Sequence, residues 1–247
     1  MSAAEAAGRP RLVATLRALV AHPGALTRSR LDGRSQRYVP LTTLLVSCAA
    51  AFFVLTTVLS HRPTNDAAAK SCATAPGGDG GLDSALGPLL GLAADQPAAA
   101  PASPAEFWLL HAVEQLLCDP QRFTYALGLA VPIAFLVLIP AFAGLMHLAF
   151  RRELPGYAGH WTYAVESHAA LFLVLSALAV VSALGSSFLS FFASLGGLVY
   201  TTWNLHAGVQ TTYRVTSRTA TWRTTLVGVA YALLLVAAVG VTLWILL

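Results

Sequence analysis

Residues 40–60 read PLTTLLVSCAAAFFVLTTVLS. No side chain in this stretch carries a charge. As a helix rising 1.5 Å per residue, it is long enough for the roughly 30 Å hydrocarbon core of a bilayer. Four further apolar runs follow, at about 123–150, 169–184, 188–207 and 226–247. Of the 247 residues, 56% are hydrophobic and 11% charged, where a soluble domain carries about 25% charge. Mean hydropathy is +0.66, so much of the surface faces something other than water. The expected fold is all-α: a polytopic transmembrane helical bundle of five spans with interfacial amphipathic helices. The alternative is four spans, with the third and fourth runs not both crossing.

Charge predicts the direction of the spans. Arg9, Arg11, Arg17, Arg28, Arg30, Arg34 and Arg37 precede the first run. Arg151 and Arg152 follow the second, and Arg214, Arg218 and Arg223 follow the fourth. All twelve fall on one side of a five-span chain. The other side holds Arg62, Lys70 and Arg122 against seven acids from Asp66 to Asp119. The positive-inside rule then puts the N-terminus in the cytoplasm and the C-terminus outside, in a bacterial inner membrane. Arg34, Arg37, Arg151 and Arg152 are expected to face anionic lipid headgroups of the cytoplasmic leaflet. The net charge of +4 is explained by these flanking arginines, and nucleic acid is not an expected partner. A cleaved signal peptide is not expected, because the first run follows an arm of about 39 residues.

The chain therefore reads as four parts. Residues 1–39 form a basic cytoplasmic arm, 40–60 the first span, 61–122 a periplasmic loop and 123–247 a four-span bundle. In the arm, PRLVATLRALVAH (10–22) places Leu12, Leu16, Leu19 and Val20 on one helical stripe. Such a helix suits either the membrane interface or the side of the bundle. In the loop, Ser103-Pro104-Ala105-Glu106 is a capping-box pattern, opening an amphipathic surface helix that runs to Asp119. Cys72 and Cys118 share this loop, and an oxidising periplasm would join them in a disulfide. Cys48 lies inside the first span, as a small packing residue.

Candidate chemistry is sparse. Four of the seven histidines, His147, His160, His168 and His206, gather near the cytoplasmic face, with Glu166 beside His168. Ionisable groups at membrane depth are costly and often functional, so a metal, proton or headgroup site is one reading. Histidines bonded to carbonyls or headgroups are the other. His160 and His168 differ by about 80° and roughly 12 Å on one helix, so a shared ion needs His147 or His206 from neighbouring helices. His111 and Glu114 form an HxxE pair on the loop helix, without the HExxH of metalloproteases. Ser190, Ser194, Gly197 and Thr201 form a small-residue seam for close helix packing. No CxxC, GxSxG, P-loop or dinucleotide fingerprint occurs, and no cofactor is expected.

The order of motifs carries a resemblance. GRSQRYVPLTTLLVS (33–47) leads into the first span. VPIAFLVLIPAFAGLMHLAFRR (131–152) is a proline-bearing span, and LPGYAGHWTYAVESHAALFL (154–173) carries Tyr157-x-x-His160 and then His168. Together, over about residues 20–245, these resemble an uncharacterised family of bacterial membrane proteins catalogued only as a domain of unknown function. Many of its members carry an N-terminal cysteine zinc ribbon, which this chain lacks. The resemblance implies a membrane helical fold and draws attention to Gly33, Arg34, Arg37, Tyr38, Tyr157, His160 and His168. It implies no activity.

The leading functional reading is a non-enzymatic inner-membrane protein: a small transporter, channel subunit or lipid-handling factor. Membrane lipids are its expected partners, with a homo-oligomer or membrane complex as a further one. One alternative is a membrane-embedded enzyme using the cytoplasmic histidines with Glu166, which makes that face the functional one. The other is a scaffold subunit docking through the long loop.

Overall fold

The computed structural model describes residues 3–60 and 120–246, and every regular element in them is helical. In chain order these are α1 (Ala3–Ala21), α2 (Ala25–Leu31), a 3-10 turn (Ser35–Arg37) and α3 (Leu41–Ser60). Then come α4 (Pro120–Phe150), α5 (Tyr157–Ser182), α6 (Ser187–Tyr213) and α7 (Ser217–Leu246). Three segments are long and apolar enough to cross a membrane: Leu41–Leu59, Tyr157–Ser182 and Ser217–Val241. A shorter apolar stretch, Val137–Phe150, is the fourth. The fold is that of a helical membrane protein. The expected periplasmic loop and surface helix, with Cys72, Cys118, His111 and Glu114, lie outside the described residues.

The chain divides into two units. One is Met1–His61 with Phe135–Val236, and the other is Arg62–Ala134 with Ala237–Leu247. The packing that positions the candidate site lies within the first. Its hub is α5, buried on nearly every side from Gly159 to Phe172. A helix enclosed all round needs small or apolar residues on every face. Ala164, Val165, Ala169 and Ala170 meet that need, and the polar residues among them must find partners inside the protein. On one side α3 packs through Leu41, Leu44 and Cys48, a stripe at helical spacing. Phe52 and Phe53 continue it, their rings 5.8 and 6.0 Å from that of Phe172, while Phe135 of α4 closes to 4.7 Å.

On another side lies α6. After α5, Gly185 turns the chain at φ +78°, and Ser186 caps α6 by accepting from the Leu189 amide. The small-residue seam is realised in part. Gly197 faces α5 so closely that a Cβ there would meet the Leu178 side chain at 3.1 Å, whereas Ser194 is exposed.

The N-terminal arm is folded against other helices. Its helices α1 and α2 form a hairpin packed on α5 and α6. Thr15, Ala18 and Leu19 are buried, while Leu12, Val13 and Val20 are exposed, so α1 packs on the bundle through one face and the expected stripe is split. The hairpin tip requires glycine. Gly24 has φ +78°, and a Cβ there would lie 2.6 Å from the Gly208 carbonyl oxygen and 2.8 Å from Thr212 Oγ1. Gly33, at φ +74°, ends α2 in the left-handed conformation that favours glycine. Its amide donates to Arg30 O at 3.0 Å, and Ser29 Oγ donates to Arg34 O at 2.9 Å. The 3-10 turn follows, with Tyr38 packed on the core and the Val39 amide donating to Thr15 Oγ1 at 3.0 Å.

Candidate functional site

Four polar knots occur among the packed helices, and each holds one of the residues singled out in the sequence. The most buried centres on Glu166. Its Oε2 accepts from the Thr27 amide at 2.7 Å and from Thr27 Oγ1 at 2.5 Å, while Oε1 lies 3.4 Å from the Leu26 amide. These donors sit in the first turn of α2, where amides have no intrahelical acceptor and the helix dipole favours negative charge. Glu166 therefore caps α2 from another helix. Both Glu166 and Thr27 are almost wholly shielded from solvent.

His160 forms the second knot. Its Nε2 lies 2.9 Å from the Leu154 carbonyl oxygen, which can only accept, so Nε2 carries the proton. In the neutral ring Nδ1 is then an acceptor, and the Tyr213 hydroxyl donates to it at 2.9 Å. The imidazole stacks on Tyr213, which stacks on Phe150 at 4.5 Å. Arg223 lies over the other side of this layer, 5.4 Å from the Phe150 ring, and binds Glu153 at 2.7 Å and the Ala149 carbonyl at 2.9 Å. His147 approaches His160 edge-on with ring centroids 5.0 Å apart. Its Nδ1 is buried with no hydrogen-bond partner among the described residues.

The third knot is His168. Its Nδ1 donates to Ala164 O at 2.8 Å, and the Tyr231 hydroxyl donates to Nε2 at 2.7 Å. Phe135, Phe142 and Tyr231 surround the ring. Eight residues of α7 separate Tyr231 from Arg223, placing this pair about 12 Å along the helix from the arginine layer. The fourth knot is peripheral: His206 Nε2 lies 2.7 Å from the Gln210 amide nitrogen and 3.3 Å from Ser217 Oγ.

The structure thus brings His147 and His160 together and sends His168, His206 and Glu166 to separate partners. Among the described residues, no group of three or more His, Cys, Asp or Glu side chains is placed to hold a metal. The basic residues divide likewise. Arg37, Arg151 and Arg152 are exposed, as is Arg34, which also binds Asp32 at 2.7 Å, and Arg28 binds the same carboxylate at 3.0 Å. The hydrogen bond from Arg34 holds the Asp32 carboxyl below its usual pKa.

Sequence reasoning did not find the partners: Thr27, Tyr163, Tyr200, Tyr213 and Tyr231. Tyr163 donates to the Leu205 carbonyl at 3.0 Å, and Tyr200 donates to Val20 O at 2.9 Å while Asn204 Nδ2 donates to the Tyr200 oxygen at 3.3 Å. A tyrosine inside an apolar helix, which must place its hydroxyl somewhere, was the available signal. Between α5, α6 and the facing sides of α4 and α7 lies a cavity of about 140 Å³. His168, Tyr200, Asn204 and Tyr231 border it, and its wall is otherwise almost all carbon. No family model, no curated protein and no solved structure matches this chain.

Proposed function

We propose that this protein is a five-span bacterial inner-membrane protein, N-terminus inside and C-terminus outside, that binds or passes its cargo without transforming it. The observation that carries the reading is how the groups able to do chemistry are used. His160 and His168 each spend both ring nitrogens on hydrogen bonds within the protein, and Glu166 spends its carboxylate on α2. An acid–base catalyst needs a reacting proton within reach of a group free to take or give it. These groups are turned to tyrosine and threonine hydroxyls and to the backbone instead. What the bundle presents is a cavity among apolar helices, which suits a transporter, channel subunit or lipid-handling factor.

The direction rests on the twelve arginines and on the helices themselves. The fourth span is α6, whose outer half exposes Phe188, Phe191, Leu195 and Leu198, side chains suited to lipid. Its inner half carries Thr202, Asn204, His206 and Gln210, suited to the cytoplasmic interface. The resemblance to the family of bacterial membrane proteins fits the same fold class. Exposed Arg151 and Arg152 would sit among anionic headgroups.

The test separates a structural role of the histidines from a chemical one. His160→Ala and His168→Ala should each lower the unfolding midpoint of the purified protein in detergent, since each strands a buried hydroxyl and carbonyl at roughly 1–3 kcal/mol. Metabolite and lipid profiles of cells carrying a stable enzyme mutant would show substrate accumulating. If both variants keep the wild-type midpoint yet change such a profile, the histidines work chemically and the proposal fails.

A further inference from the structure

We infer that the cavity between α5 and α6 is a binding site for the hydrocarbon tail of a membrane lipid. The inference rests on the membrane reading above and adds the class of ligand. Ala170, Leu171 and Val174 of α5 form one wall, Leu205 of α6 another, and Phe142 of α4 a third. Of the polar residues at the border, His168, Tyr200, Asn204 and Tyr231 are turned to partners already on the protein, and Ser167 and Thr201 complete the lining. His168 is held between Ala164 O and Tyr231, and Tyr200 between Val20 O and Asn204. A charged or strongly hydrogen-bonding solute gains little from such a wall and loses its hydration. An apolar cavity of about 150 Å³ stays dry and takes up a benzene-sized hydrocarbon. At about 140 Å³ this one accepts a group of the same bulk.

The setting names the source. The pair His168–Tyr231 lies about 12 Å along α7 from the layer of Arg223 and Glu153, inside the depth reached by inner-leaflet chains. The lining helices expose Trp203, Val229 and Leu233 on their other faces. In a bilayer, lipid tails surround these faces. The occupant that meets apolar walls, this bulk and this depth is a tail segment, acyl or isoprenyl. The N-terminal hairpin borders the site, because Tyr200 and Asn204, which line the cavity, also hold the end of α1 through Val20 O and Leu19 O.

The experiment uses the full chain in liposomes containing phosphatidylglycerol with a diazirine in mid-chain. After illumination, peptide mapping should find adducts on residues 170–174 and 200–205 at least about threefold above those on the outward-facing stretch 188–195, a modest preference in free energy. Val174→Phe fills the cavity from one side and Thr201→Leu alters the other. Each should remove the excess at 170–174 and 200–205 and leave labelling at 188–195 unchanged. Loss of excess labelling on adding unlabelled polyprenol assigns an isoprenyl tail, and retained labelling assigns an acyl tail. Labelling that is uniform along the helices, or an excess that survives both folded variants, overturns the inference. Because labelling at 188–195 reports lipid contact by itself, its presence without the excess leaves the membrane reading standing while this one falls. Absence of labelling everywhere defeats both.

Discussion

At Glu166 a single carboxylate joins segments 139 residues apart in sequence. Burying it is costly unless its oxygens are hydrogen bonded, and the first turn of α2 supplies the donors. Glu166→Ala should therefore cost roughly 3 kcal/mol, the scale of lost hydrogen bonds to a buried charged group. Thr27→Val removes only the hydroxyl donor and should cost about half as much. The double variant should cost less than the sum of the two, and unfolding midpoints of the four proteins in one detergent measure that coupling. Equal and additive losses would mean that the two side chains do not interact. In the sequence Glu166 stands two residues from His168. On a helix that spacing turns them about 160° away from each other, and no local pattern pointed to Thr27. The histidines were legible as groups needing partners. Which tyrosine or carbonyl each would meet depends on how the helices cross, which no single segment encodes.

Among elements, the α1–α2 hairpin is the part that sequence described least well. Its arginines marked it as a cytoplasmic arm, and its apolar stripe fitted two settings. The contact that seats it, Gly24 on Gly208, leaves no hydrophobic signal in either segment. Gly208 is itself hemmed in, since a Cβ there would lie 2.8 Å from the Tyr163 hydroxyl. Gly24→Ala should undock the hairpin, combining a strained positive φ with a backbone clash, for roughly 2–4 kcal/mol. Gly33→Ala has the same backbone demand but open space around it, and should cost about 1 kcal/mol. Trypsin reports the difference, because cleavage after Arg28 or Arg30 should accelerate in the first variant far more than in the second. Equal protection in both would show that the tip is not tightly seated. Helix lengths carry a related lesson. The third apolar run begins near Ala169, yet α5 starts at Tyr157; the fifth begins near Leu226, yet α7 starts at Ser217. Tyr157, His160 and Arg223 in those stretches bond to other elements and Thr162 and Thr221 to their own helices, so hydropathy alone marks the apolar part of each helix and not its end.

For the molecule as a whole, composition and long uncharged runs were sufficient for the helical membrane class, since the physics involved is that of transfer between water and hydrocarbon. The number of crossings is a finer matter. Three helices meet a plain test of length and apolarity, Val137–Phe150 is a shorter apolar stretch, and α6 mixes exposed phenylalanines with polar residues toward its inner end. The charge distribution argues for five crossings, because only then do Arg214, Arg218 and Arg223 share a side with the other nine. The most direct measurement is a pair of reporters fused after Leu247, one active only in the cytoplasm and the other only outside it, with the same pair inserted after Arg152 as an internal reference. The five-crossing account predicts that the external reporter alone is active at Leu247 and the cytoplasmic one alone after Arg152. A cytoplasmic signal at both positions would contradict it.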